Sequence, residues 1–110
     1  MTALSTSWLA VRLGLDPLQV DRLRESGALL GVRNGREHHY PAWQFAENGR
    51  LRPVAVRLLG EARRLRIAPE AVVALLDRPV GLVGQQRFLD LLLDGNEERV
   101  IGELRRVAAA

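Results

Sequence analysis

The stretch ALLGVRNGREHHYP, residues 28–41, decides how this chain is read. At its centre Asn34-Gly35 is the pair that best supplies positive φ at both central positions of a type I′ turn. Leu29 to Val32 is apolar and short, while Arg36 to Tyr40 carries extended-compatible residues and stops at Pro41, which cannot continue a central strand. The stretch predicts a β-hairpin with a two-residue loop, in which Arg33 opposes Arg36, Gly31 opposes His38 and Leu29 opposes Tyr40. Like charges facing each other destabilise a hairpin, so this register points to an external anion such as a phosphate backbone; two splayed, hydrated arginines are the alternative.

Upstream, STSWLAVRLG (residues 5–14) puts Leu9, Ala10 and Leu13 on one helical face, behind a hydroxyl cap and ahead of Gly14 as a left-handed stop. LDPLQVDRLRESG (residues 15–27) follows with Asp16 as N-cap, Pro17 in the first turn, Val20 and Leu23 facing inward and Gly27 at the end. Downstream, PAWQFAENGR (residues 41–50) predicts a short helix burying Trp43 and Phe45, then a loop at Asn48-Gly49. The remainder predicts helices over Pro53 to Leu65, Pro69 to Leu76, Gln85 to Leu93 and Glu97 to Val107, with the tail VAAA frayed. Phe88, Leu89 and Leu92 form one apolar stripe and Val100, Ile101, Leu104 and Val107 another, as core-facing helices do.

The 110 residues, 47% of them hydrophobic, suit one domain or two small ones sharing a core. No cysteine is present, which excludes disulfide frameworks, thiolate zinc sites and thiol nucleophiles. Lysine is also absent, so the net charge of +3 is carried by arginine alone, and between Arg33 and Arg66 eight arginines face only Glu37, Glu47 and Glu61. No apolar run approaches the ~20 residues of a membrane span, and the start has no signal-peptide pattern, so a cytoplasmic location without membrane contact is expected.

Enzyme signatures are missing. There is no P-loop, no GxGxxG, no HExxH and no Ser-His-Asp or paired-carboxylate arrangement, and no catalysis or cofactor is expected. His38 and His39 invite a metal reading, but neighbours on a strand point to opposite faces and cannot easily share one ion.

In a helix-turn-helix the crossing needs a small residue on the first helix, a glycine in the turn and an apolar residue packing back from the second. Ala10, Gly14 and Val20 occupy those positions, and a hairpin and short helix follow directly. Residues 4–46 thus resemble the winged helix-turn-helix of the MerR and excisionase-like group. The resemblance implies a mainly α fold: a winged helix-turn-helix domain with one small β-hairpin over residues 1–50, followed by a helical module over 51–110. It also implies that the second helix enters the major groove of double-stranded DNA while the hairpin lies along the backbone or minor groove. Gln19 is then placed to read adenine, and Arg22 to read guanine or hold phosphate. Ser5, Thr6, Arg24, Arg33, Asn34, Arg36 and His38 complete the candidate DNA-binding set. Asp21 and Glu25 repel phosphates on such a surface unless paired to Arg22 or Arg24 or accepting from cytosine.

Residues 53–108 resemble, through LLDRPVGLVGQQRFLDLLLDGNEERVIGEL (residues 75–104), the toxin-binding domain of Xre/MbcA/ParS-type antitoxins. That family dimerises through this domain and holds a toxin with it; Phe88 stands where the family tends to a helix-opening proline. The run FLDLLL has too many consecutive apolar positions for one buried face, so a homodimer through the C-terminal helices is expected. The function expected is sequence-specific transcriptional regulation. The alternatives are an antitoxin-like module that binds a partner toxin and a phage-type architectural or packaging DNA-binding protein.

Overall fold

The computed structural model describes residues 3–81 and 84–110, so Leu82 and Val83 of the antitoxin-like stretch lie outside the described residues. The chain is mainly helical with one small antiparallel sheet. In order it runs β1 (Ala3–Ser5), α1 (Thr6–Leu13), α2 (Pro17–Glu25), β2 (Val32–Asn34), β3 (Glu37–Pro41), a 3₁₀ turn over Ala42–Gln44, α3 (Pro53–Arg64), α4 (Pro69–Asp77), α5 (Phe88–Leu93) and α6 (Glu97–Ala109). It divides into two compact units, Met1–Leu59 and Gly60–Ala110, with the division falling inside α3.

Local chemistry sets the two N-terminal helices. The Ser5 hydroxyl accepts from the Trp8 N–H at 3.1 Å, and Gly14 ends α1 in the left-handed region at φ +68°. At α2 the Asp16 carboxylate accepts from the Leu18 N–H at 2.9 Å, while the Gln19 side chain reaches back to accept from the Asp16 N–H at 2.8 Å. The Ala28 N–H bonds the Leu23 carbonyl at 2.9 Å as the chain leaves α2. Leu9, Ala10, Val20, Leu29 and Tyr40 form one core cluster of this unit, with Leu4, Leu13, Leu15, Phe45 and Leu51 packed around it. A fully buried leucine contributes ~1.5–3 kcal/mol, so these side chains hold the helix pair on the sheet.

The sheet differs from the expected hairpin in two ways. It has three strands in the order β1-β3-β2, because Ala3–Ser5 pairs along β3 with Leu4 opposite Tyr40. Its register is also displaced: Val32 opposes His39, Arg33 opposes His38 and Asn34 opposes Glu37. The two loop residues are therefore Gly35 and Arg36, with Gly35 at φ +66° and Arg36 outside the left-handed region, which meets the II′ requirement rather than the I′ one. Arg33 and Arg36 do not face each other, so no like-charge pair at the tip calls for an external anion.

Leu29 to Gly31 is not strand. The Leu29 N–H bonds the Leu23 carbonyl at 3.3 Å, and the Leu30 backbone is satisfied by Gln44, which is fully buried: Oε1 accepts from the Leu30 N–H at 2.9 Å, and Nε2 donates to the Leu30 and Pro41 carbonyls at 2.8 and 3.0 Å. Trp43 is buried as expected, whereas Phe45 is half-buried and the short helix is a single 3₁₀ turn. Leu23, expected to face inward, is 36% exposed, because the buried side of α2 runs from Val20 toward Arg24 instead.

In the second unit Ala62 of α3 is buried together with Val72, Leu75 and Leu76 of α4, Phe88, Leu91 and Leu92 of α5, and Val100, Ile101 and Leu104 of α6. α5 begins at Phe88 rather than Gln85, since Gln85 lies in a bend, Pro79 and Arg87 form a β-bridge and the Val80 N–H bonds the Gln86 carbonyl at 2.8 Å, which takes residues 86–87 out of the helix. The C-terminal alanines expected to fray continue α6 to Ala109, as the strongest helix former allows. Of the run FLDLLL, only Leu93 is an exposed large hydrophobic residue, at 44%.

Candidate nucleic-acid interface

Charge separates the units. Residues 1–59 carry eight arginines against five carboxylates, and residues 60–110 carry eight against eight, so the whole excess of +3 lies in the helix-turn-helix unit. In the second unit acids and bases pair on the surface: Glu61 with Arg64 and Arg105, and Glu103 with Arg78 and Arg106.

Within the first unit a polar groove of about 370 Å³ runs between the start of α1, α2 and the β2–β3 wing. Ser5 lines it from the end of β1, Thr6 and Ser7 from α1, Asp21 and Arg24 from α2, and Arg36, Glu37 and His38 from the wing. Five expected site residues, Ser5, Thr6, Arg24, Arg36 and His38, therefore meet in one place. Each has a distinct local role. Ser5 is committed to capping α1, and the Thr6 hydroxyl lies 3.3 Å from the Tyr40 hydroxyl in a hydrogen bond. His38 is half-buried opposite Arg33. Arg36, at the loop, is exposed and makes no hydrogen bond or ion pair among the described residues.

Arg24 is held from several sides. Its Nε donates to the Tyr40 hydroxyl at 3.2 Å, its Nη2 to Asp21 Oδ1 at 3.2 Å, and Glu25 Oε1 stands 4.0 Å away. Burial pulls this guanidinium's pKa down, but the hydrogen bonds to Tyr40 and Asp21 outweigh it and raise the value, so Arg24 stays a cation. Asp21, which had looked hostile to phosphate, is thereby paired.

The other expected residues lie outside the groove. Arg22 is exposed beside Leu15, Gln19 and Leu23 in a shallow hollow, its side chain making no hydrogen bond or ion pair among the described residues. Gln19 sits there with its Oε1 engaged by the Asp16 N–H, so a bidentate grip on adenine has to share or break the cap. Arg33 folds onto the turn, its Nε donating to the Gly35 carbonyl at 3.1 Å, and Asn34 is exposed at the end of β2. Sequence reasoning missed Ser7 and Glu37 as lining of the groove, and Tyr40 as the buried phenol that bonds two of its lining residues, Thr6 and Arg24. Tyr40 was visible only as a hairpin residue, and nothing local told that its hydroxyl would gather Thr6 and Arg24.

Among the described residues no helix is long and apolar enough to cross a membrane. No family model and no curated protein sequence matches the chain. Among solved structures, the NMR structure of Rv2175c superposes with a TM-score of 0.77 over 97% of this chain and 81% of that one, at 18% identity. That likeness establishes a shared fold along nearly the whole chain.

Proposed function

We propose that this chain is a sequence-specific, double-stranded-DNA-binding transcriptional regulator of the MerR and excisionase-like winged helix-turn-helix type. In this reading α2 enters the major groove and the β2–β3 wing follows the backbone. The observation that carries it is that the entire positive excess sits in the one unit that has a helix-turn-helix, a wing and a shared groove with Arg24, Arg36 and His38. A polyanion is attracted by that asymmetry, and the exposed, unpaired Arg22 and Arg36 are the cations ready to release counterions from it.

The test is fluorescence anisotropy with a duplex from the chain's own upstream region and an unrelated duplex of equal length, across a salt titration. The reading expects affinity to fall linearly in log-log form with a slope near −0.9 per phosphate contact, and the upstream duplex to bind more tightly. No binding to either duplex at low salt rejects it. The homodimer now rests on less, since α5 buries most of FLDLLL within the chain. Sedimentation at ~10 µM, a useful dimer range, decides it.

A further inference from the structure

A basic residue on the second helix of a helix-turn-helix is ordinarily counted as a DNA contact. The surroundings of Arg24 argue otherwise. Its side chain is only 17% exposed and already spends Nε on Tyr40 and Nη2 on Asp21. Tyr40 is fully buried in β3, the central strand, where it opposes Leu4. The same hydroxyl is hydrogen-bonded to Thr6 at the start of α1. Even the approach of the chain between α2 and β2 is shaped around this pair: a Cβ on Gly31 would lie 2.8 Å from Tyr40 Cε2 and 2.9 Å from Arg24 Cδ. Three elements and one connecting segment thus converge on a single phenol–guanidinium contact.

Resting on the DNA-binding reading above, we propose that Arg24 touches no DNA and is a positioning residue, pinning the wing to α2 through Tyr40 and cancelling the carboxylates that α2 turns toward the phosphates.

Two physical consequences define the role. Arg36 follows Gly35 at the wing tip and His38 lies two positions from Tyr40 on β3, so the pin sets how far those cations stand from the base-facing side of α2. A duplex presents groove and backbone at a fixed separation, so that distance matters most when base edges and phosphates are both engaged. The second consequence is electrostatic. Asp21 and Glu25 both lie within ion-pair reach of Arg24, and without it α2 presents them to the backbone with only Arg22 to offset them.

These roles separate in mutants. Arg24→Met unmasks the carboxylates and also removes the Tyr40 bond, so affinity for the unrelated duplex falls roughly fivefold, as for one surface charge pair, and the cognate-to-unrelated ratio falls by about threefold or more as well. The salt slope stays unchanged, because no phosphate contact is lost; Asp21→Asn added to Arg24→Met restores most of the affinity for the unrelated duplex and leaves the lowered ratio in place. Tyr40→Phe removes one oxygen and leaves the Arg24–Asp21 pair in place. It is expected to keep affinity for the unrelated duplex and to lower the cognate-to-unrelated ratio by about threefold or more, as a loosened register does. Arg36→Ala serves as the contact control, lowering the slope by ~0.9.

The measurement is anisotropy of the full chain with both duplexes over a salt series, with circular-dichroism melting of each variant. A slope decrease near 0.9 in Arg24→Met makes Arg24 a contact and overturns the inference. Should Arg24→Met be unfolded at the assay temperature, Tyr40→Phe decides alone, and an unchanged ratio overturns the inference. Failure of the parent chain to bind any duplex rejects the DNA reading and this inference with it, whereas binding by the parent with wild-type ratios in Tyr40→Phe rejects this inference only.

Discussion

The buried amide of Gln44 takes the place of a strand partner for Leu30, bonding its N–H at 2.9 Å and its carbonyl at 2.8 Å. It holds the Pro41 carbonyl as well, at 3.0 Å, so one side chain joins the entry to the wing with its exit. Replacing it by leucine keeps the volume but strands three buried backbone groups. At ~1–3 kcal/mol for each orphan, Gln44→Leu should cost about 3 kcal/mol or more, read from urea denaturation. A loss under ~1 kcal/mol shows that water or a rearranged backbone serves these groups.

Arg66 is the one non-glycine residue with positive φ among the described residues, at +58°. It closes α3, the Ile67 N–H bonding the Ala62 carbonyl at 2.9 Å in the way a glycine-capped helix end does. Arg66→Gly should raise stability by ~0.5–1 kcal/mol, because the left-handed strain is larger than the entropy a glycine adds to the unfolded chain. A lowered urea midpoint counts against that balance.

Gly31 has no room for a methyl group, as its contacts with Tyr40 and Arg24 show. Tyr40 is fully buried and cannot swing away, so Gly31→Ala should destabilise by ~1–3 kcal/mol, the usual cost of overpacking. Thermal melting with unchanged midpoint contradicts this.

Glu61 and Glu103 each serve two arginines, and both carboxyls are held down to about 2 from the ordinary 4.5. For Glu61 the first cause is its hydrogen bond with Arg64, for Glu103 that with Arg106. A carboxyl whose folded value is depressed contributes stability above its unfolded value, here 4.5, and loses it as pH falls toward about 2. Glu61→Gln and Glu103→Gln should each flatten the loss of stability between those limits. Melting curves at stepped pH that keep the parent's slope in both variants refute the assignment.

Arg33 and Arg36 should separate in DNA binding. Arg36 has no hydrogen bond or ion pair among the described residues, whereas Arg33 already bonds the Gly35 carbonyl at 3.1 Å. Arg36→Ala is expected to reduce the salt slope by ~0.9, and Arg33→Ala by less. The reverse order, or full affinity in both with loss of a protein partner, removes the wing from the DNA reading.

What the sequence determined by itself is what neighbours along the chain decide. Ser5 and Asp16 supply side-chain oxygens to N–H groups two or three residues on, and Gly14 and Gly27 adopt a left-handed backbone at little cost, so both N-terminal helices were legible from their caps. The hairpin's register was different. Asn34-Gly35 and Gly35-Arg36 both make two-residue loops, and the slide between them moves each partner by two positions, from Arg36 to His38 opposite Arg33. A shift of two keeps every side chain on its face, so the apolar pattern favours neither register. The choice lies in distant contacts: β1 pairs with β3 through Leu4 and Tyr40, and Gln44 takes the Leu30 backbone out of strand pairing. Arg24 follows the same rule. Sequence shows a surface base on a helix, and only the arrival of Tyr40, sixteen residues on, gives its guanidinium a buried acceptor.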